Sequence, residues 1–263
     1  MELFFDISVY TIYLMTLVYL TGATRPPKVN LTISMIKIIA VDDYLATLNR
    51  ITHHINRLKG YEMLATANDG YELIKFCNQQ KVLPDIVLLD VLMPKLDGVS
   101  TMEYLNTYFP SIKVIAVSSF EIEDVIIDML ACGAWGYVFK DKGLDILTQA
   151  LESVAAGVPF VDPRLFFDLS QRESLIQKRQ ESRQAIFQQF GLSAREKELI
   201  GLIVSNMDYT EIGELLNVAP KTIENTISSI NHKMGVTGGR PGLLMHSIRL
   251  GLTKMMNLRS ARE

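Results

Sequence analysis

From residue 36 onward, short β-branched apolar runs alternate with longer amphipathic stretches, and this alternation limits the fold more than any other feature. Strand-like runs occupy 36–41, 63–67, 86–89, 114–117 and 136–139; helix-length stretches occupy 46–59, 71–80, 98–108, 122–131 and 144–156. Five strand-then-helix units of about 25 residues each leave no hairpins, because every helix carries the chain back to start a parallel neighbour. The expected architecture is α/β: a doubly wound, five-stranded parallel sheet with helices on both faces. Near-continuous apolar runs fit strands buried on both sides.

After Gly157 this regularity stops. Residues 158–190 hold Pro159 and Pro163, then a Gln/Arg/Glu/Ser-rich stretch with Leu169, Ile176, Ile186 and Phe187 at helical spacing, read as a linker with a solvated helix. From residue 191 the pattern is all-helical, over 193–205, 210–216, 220–234 and 242–250. A length of 263 residues agrees with two domains, and 48% hydrophobic against 21% charged residues excludes a disordered chain. The two cysteines, Cys77 and Cys132, exclude a disulfide-stapled scaffold. The net charge of −3 conceals a split: residues 35–160 sum to −6, and residues 191–263 to +2.

The first 34 residues differ from the rest. Eighteen positions from Ile7 to Thr24 carry no charge, the lower limit for a membrane-spanning helix. Glu2 and Asp6 stand where a secretory signal would be basic, whereas Arg25 and Lys28 would leave the following chain in the cytoplasm. Met35 opens a sensible first strand of its own. Residues 1–34 are therefore expected to reflect a mis-assigned start codon, with a membrane anchor or docking segment as the alternative; the intact mass of the native protein discriminates the two.

In an open parallel sheet, chemistry sits beyond the carboxyl ends of the strands. Those ends carry Asp42 and Asp43 after the first strand and Asp90 after the third. Ser118 and Ser119 follow the fourth, and Lys140 the fifth. Carboxylates gathered at one edge repel one another unless a cation intervenes, and hard oxygen ligands favour magnesium. A lysine facing them can hold an incoming phosphoryl oxygen as a point charge. Such a constellation needs no general base; it suits an aspartate that accepts a phosphoryl group.

The segments Val41-Asp42-Asp43, Leu89-Asp90-Val91-Leu92-Met93-Pro94 with Asp97-Gly98, Ser118-Ser119, and Gly133 through Lys140 resemble the receiver domain of response regulators, a flavodoxin-like fold. The resemblance implies that Asp90 is the phosphoacceptor. Asp43, Asp90 and the backbone carbonyl of Leu92 would bind Mg2+ directly, and Asp42 through water. Lys140 would pair with the phosphoryl group, Ser118, next to Ser119, would hydrogen-bond to it, and Tyr137 would turn inward when Ser118 moves. Pro94 and Gly98 shape the loop. Leu92 and Phe120 fill the two positions that set phosphoryl lifetime in this family, and neither can orient a water. Slow self-dephosphorylation is expected, with a half-life longer than that of a Leu92→Asn, Phe120→Glu double variant.

The stretch from Leu192-Ser193-Ala194-Arg195-Glu196 through Tyr209-Thr210-Glu211-Ile212-Gly213, Val218-Ala219-Pro220-Lys221-Thr222-Ile223 and His232-Lys233-Met234-Gly235-Val236 resembles the LuxR-type helix-turn-helix of the NarL/FixJ subfamily. Ile223, Ile227, Ile230 and Met234 form one buried stripe. The opposite face offers Lys221, Thr222, Glu224, Asn225, Ser228, Asn231 and His232 to a major groove. Lys221, Lys233 and Arg240 are the candidate phosphate contacts. Glu224 departs from the lysine common in the family and could accept from cytosine N4, while Asn225 could read adenine. Ser193 is the expected cap of the first helix, and the terminal helix over 243–250 the expected dimer seam.

Together the resemblances imply a cytoplasmic, non-enzymatic transcription regulator of a two-component system. It would be phosphorylated on Asp90 by a sensor histidine kinase and bind promoter DNA as a homodimer. Boundaries are expected at 1–34 (extension), 35–157 (receiver), 158–190 (linker), 191–255 (helix-turn-helix) and 256–263 (tail). Membrane contact is expected only if 1–34 is real. The alternative is a phosphoswitch adaptor that acts through protein partners and uses the helix-turn-helix for dimerisation. A hydrolase using the same carboxylates is disfavoured, since no second catalytic constellation follows.

Overall fold

The strands form where the sequence is most continuously apolar, and their side chains sort by a period of two. The computed structural model describes residues 35–119, 122–140, 143–165 and 169–252. The expectations for residues 1–34, for Phe120 and for the tail from 256 lie outside those residues. The first part of the chain runs β1 (Ile36–Val41), α1 (Leu45–Ile55), β2 (Tyr61–Ala67), α2 (Gly70–Gln79), β3 (Ile86–Asp90), α3 (Gly98–Tyr108), β4 (Lys113–Ser118), α4 (Glu123–Ala131), β5 (Gly136–Phe139), α5 (Leu144–Ala155) and β6 (Phe160–Val161).

The sheet order is β2-β1-β3-β4-β5-β6, with every pair parallel. The five-stranded expectation is corrected to six. Phe160 and Val161 pair with Gly136 and Tyr137, an edge too short to register as a period in sequence. Ile39, Val41, Val87, Leu89, Val114 and Ala116 face α2, α3 and α4. Ile38, Ala40, Ile86, Leu88, Ile115 and Val117 face α1 and α5. The order reverses between β1 and β3, so the carboxyl ends of these two strands flank the switch-point crevice.

Side-chain caps set the helix starts beside this crevice. Asp69 accepts from the Glu72 amide at 2.9 Å and Asp97 from the Ser100 amide at 2.7 Å. Gly98 has no substitute here, because a Cβ would lie 2.6 Å from the carbonyl oxygen of Asp90.

The remaining helices are α6 (Leu169–Gln189), α7 (Ala194–Leu202), α8 (Tyr209–Leu216), α9 (Pro220–Met234) and α10 (Gly239–Arg249). Ser193 with Glu196, and Asp208 with Glu211, form capping boxes at the starts of α7 and α8. The turn between α8 and α9 is tight: a Cβ on Gly213 would stand 2.6 Å from the Val218 carbonyl oxygen. Ile223, Ile227, Ile230 and Met234 are buried as one stripe.

Two features were not legible in the sequence. Helix α6 is not simply solvated: Arg179 pairs with Asp124 and Asp128 of α4 at 3.0 and 3.1 Å, Gln180 donates to the Ala131 carbonyl, and Arg183 pairs with Glu103 of α3. The helix-turn-helix core also incorporates Tyr71, Ile74, Leu96 and Tyr104 from the sheet domain. Tyr104 donates to the Leu215 carbonyl at 2.8 Å and Ser100 to the Gly201 carbonyl at 2.9 Å, both bonds buried.

Candidate functional site

Strand ends bring the acidic residues together. One carboxylate oxygen from each of Asp42, Asp43 and Asp90 lies within 4.8 Å of the others. The Lys140 ammonium, which follows β5, stands 2.6 Å from Asp42 Oδ2 and 2.7 Å from Asp90 Oδ2. Asp42 also accepts from the Tyr44 amide at 2.9 Å. Burial pushes the Asp90 carboxyl up to about 6, against the downward pull of Lys140. Three hard oxygen donors in this spacing can hold a divalent cation.

Ser118 is buried at the end of β4, Ser119 is exposed beside it, and Leu92 is half-buried. Tyr137 is fully buried, its ring already inside the sheet domain. Burial pushes its phenol up to about 12, opposed by a hydrogen bond with Ser118. Arg50 on α1 was not a sequence candidate; it donates to the Lys140 carbonyl at 3.0 Å and so fixes the backbone that aims the ammonium. An arginine on the exposed side of an amphipathic helix carries no sequence signal for such a role.

The second candidate surface is α9. Lys221, Thr222, Glu224, Asn225, Ser228 and His232 are exposed. Lys221 pairs with Glu224 at 2.6 Å, and Ser228 donates back to the Glu224 carbonyl. Three of the expected residues have partners within the domain. Asn231 is buried and donates to the Gly239 carbonyl, because its position turns toward α10. Lys233 is exposed, and its ammonium pairs with Glu196 at 2.7 Å and donates to the Gly191 carbonyl at 3.1 Å. Arg240 is turned into the domain, where it donates to the carbonyls of Ile203, Met207 and Ser205 at 3.1, 2.6 and 2.7 Å. These are the free carbonyls that follow the end of α7. Burial would raise the Glu196 carboxyl, but Lys233, the Ser193 amide and Ser229 together hold it down to about 2.

A switch-point parallel sheet with a lysine-bridged acidic pocket, joined to a capped helix-turn-helix, defines a response regulator. Residues 38–152 match the model described as the response regulator receiver domain, and residues 191–243 match bacterial regulatory proteins of the luxR family. The response regulator GacA of Pseudomonas syringae is 30% identical over 203 residues, covering 77% of this chain and 91% of that protein. The transcriptional regulatory protein DegU of Brevibacillus brevis is 28% identical over 229 residues, covering 84% and 96%. Among solved structures, the RcsB response regulator of Salmonella typhimurium is similar with a TM-score of 0.46 and 23% identity, covering 81% of this chain and 98% of that one. The chain belongs to the NarL/FixJ-type response regulators, transcription regulators that join a receiver domain to a LuxR-type DNA-binding domain. Membership does not favour the adaptor alternative. Among the described residues, no helix is long and apolar enough to cross a membrane.

Proposed function

We propose that this regulator is switched by transfer of a phosphoryl group from a sensor histidine kinase to Asp90. The observation that carries this reading is the Lys140 ammonium held between Asp42 and Asp90, with Asp43 in the same cluster. A carboxylate oxygen of Asp90 attacks phosphorus, the P–N bond of the phosphohistidine breaks, its electron pair returns to the imidazole, and an acyl phosphate forms. Lys140 then exchanges a carboxylate for a phosphoryl oxygen, and the Ser118 hydroxyl donates to another, with Ser119 at the rim. A Mg2+ ion, when bound by Asp43, Asp90 and the Leu92 carbonyl with Asp42 acting through water, supplies neutralisation of the phosphoryl charge. Tyr137 is the buried group that answers any movement of Ser118.

DNA is read by the exposed face of α9. Lys221 and Thr222 approach the backbone at its start, and Asn225 and Glu224 reach base edges, with Ser228 and His232 further along. Lys233 and Arg240 are left out of this face, because their cationic groups are engaged within the domain. The half-exposed apolar Met245 on α10 fits a homodimer seam there. We assign 35–157 to the receiver, 158–190 to the linker and 191–255 to the DNA-binding domain. A kinase-borne phosphohistidine and promoter DNA as partners support a cytoplasmic location.

The test is to treat the purified chain with acetyl phosphate and Mg2+, then select bound fragments from genomic DNA at low salt. The wild-type chain is expected to take up phosphate and retain a defined set of fragments; Asp90→Asn is expected to take up none and to gain no fragments from the donor. Labelling of Asp90→Asn at the wild-type level would remove Asp90 from its role, and a labelled wild type that retains no sequence-selective DNA would overturn the promoter-binding reading.

A further inference from the structure

A cavity of about 770 Å³ lies among α3, α6 and α7 and shares no residue with the acidic edge. That volume falls in the range of roughly 300–1,000 Å³ that small-molecule sites occupy. Much of its lining is aromatic. Tyr104 and Tyr108 of α3 have ring centres 4.5 Å apart, and Phe187 of α6 joins them. The buried Tyr104 already gives its hydroxyl to the Leu215 carbonyl, so it offers the cavity a ring face. Thr107 and Tyr108 are exposed, and the cavity opens to solvent beside them. Five charged side chains complete the lining, three cations and two carboxylates. Arg183 pairs with Glu103, and Arg195 with Glu198 at 3.0 Å. The fifth, Lys197, is half-buried, and its ammonium lies 5.4 Å from the centre of the Phe187 ring. Among the described residues no carboxylate pairs with it. A ring face attracts an ammonium without cancelling its charge. The cavity therefore sets one uncompensated positive charge beside aromatic surface.

We propose that this cavity is a binding site for a small planar aromatic carboxylate, whose ring packs against Tyr104, Tyr108 and Phe187 and whose carboxylate takes the Lys197 ammonium. Other ligand classes fit the lining less well. A neutral aromatic molecule would strip water from Lys197 and give it no partner. An organic cation would be repelled by it. A nucleotide or polyphosphate calls for more cations than the one left over, since both arginines are already paired. A simple inorganic anion would leave the aromatic surface wet. Occupation of the site needs neither Mg2+ nor phosphoryl transfer, so it stands apart from the Asp90 reading.

The experiment titrates the full chain calorimetrically with 2-naphthoate, its neutral isostere 2-naphthamide, and inorganic phosphate. The proteins are the wild type, Lys197→Gln, Lys197→Arg and Thr107→Trp, the last of which places an indole at the mouth of the cavity. Melting curves of all four report that the chain stays folded. In the wild type, 2-naphthoate is expected to saturate one site with a Kd below about 1 mM, and 2-naphthamide to bind about tenfold more weakly. Phosphate is expected to give no saturable signal. Lys197→Gln is expected to lose the same tenfold for 2-naphthoate and to leave 2-naphthamide unchanged, whereas Lys197→Arg, which keeps the charge, retains the wild-type preference. Thr107→Trp is expected to abolish binding of both aromatic probes. Absence of saturation by 2-naphthoate, or equal affinity for acid and amide, would overturn the assignment of an aromatic carboxylate. Binding that is the same in the wild type, Lys197→Gln and Thr107→Trp would place the ligand elsewhere and overturn the site.

Discussion

Arg240→Ala is expected to unfold the DNA-binding domain rather than to weaken its hold on DNA. The guanidinium of Arg240 donates to three main-chain carbonyls, of Ile203, Ser205 and Met207, in the segment joining α7 to α8. Alanine leaves these carbonyls partly buried without donors, and hydrogen bonds to charged groups contribute about 1.5–3 kcal/mol each. The three act on one short segment and are not additive, so a loss of about 3–5 kcal/mol is the reasonable scale. For a folded unit of this size that corresponds to a fall in Tm of about 12–40 °C. Calorimetry of the wild type and Arg240→Ala checks the expectation. An unchanged melt combined with weaker, less salt-dependent DNA binding would return Arg240 to the phosphate-contacting surface.

Lys140→Met is expected to have the other large effect, on both stability and its dependence on pH. Asp42 and Asp90 are almost completely buried, and Lys140 bridges them. Even with that lysine, burial raises the Asp90 carboxyl to about 6. Because this folded-state pKa lies above the unfolded value, the native state binds the extra proton, and stability falls as pH rises through that window. The ionised carboxylate costs on the order of 3 kcal/mol at neutral pH, a cost removed on acidification toward pH 4. Without Lys140 the carboxyl moves higher, the window extends toward neutrality, and breaking the buried pair costs several kcal/mol more. Mg2+ is expected to restore much of that loss, since a divalent cation can replace the missing charge. Urea unfolding at pH 5 and pH 8, with and without MgCl2, reads all three effects. Stability in Lys140→Met that ignores both pH and Mg2+ would show that the lysine does not neutralise the acidic pocket.

The charge imbalance between the halves takes on a different meaning once these contacts are known. The +2 of the helix-turn-helix region counts Lys233, Arg195 and Arg240 as available cations, yet each is bonded within the folded chain. On α9 the exposed cations are Lys221, beside Glu224, and Lys233, beside Glu196. If the described face of α9 alone meets DNA, a shallow dependence of binding on salt is expected, and titration of binding against NaCl checks it.

Much of the sheet domain could be read from sequence because its determinants are local. A period of two assigns Ile39 and Val41 to one face and Ile38 and Ala40 to the other, and residues that follow a strand reach the same edge of a parallel sheet whatever the helices do. That is why the order of the strands alone gathers Asp42, Asp43, Asp90, Ser118 and Lys140 at one edge. Capping behaves in the same way, since Ser193 with Glu196 acts over three residues. The commitments of long cationic side chains were not local. Lys233 and Arg240 have the same sequence signature whether they meet a phosphate or a carbonyl, and only the packing of α7 against α9 and α10 decides between them. The contact between the domains joins Tyr71 to Glu214 across 143 residues, and the strap of α6 joins Arg179 to Asp124 across 55. Neither contact imposes a period on the chain. The sequence by itself determined the fold of each domain and the chemistry of the acidic edge; the tertiary structure alone decided which charges stay available and how the sheet domain meets the DNA-binding domain, because ion pairs across a domain interface depend on where two surfaces meet.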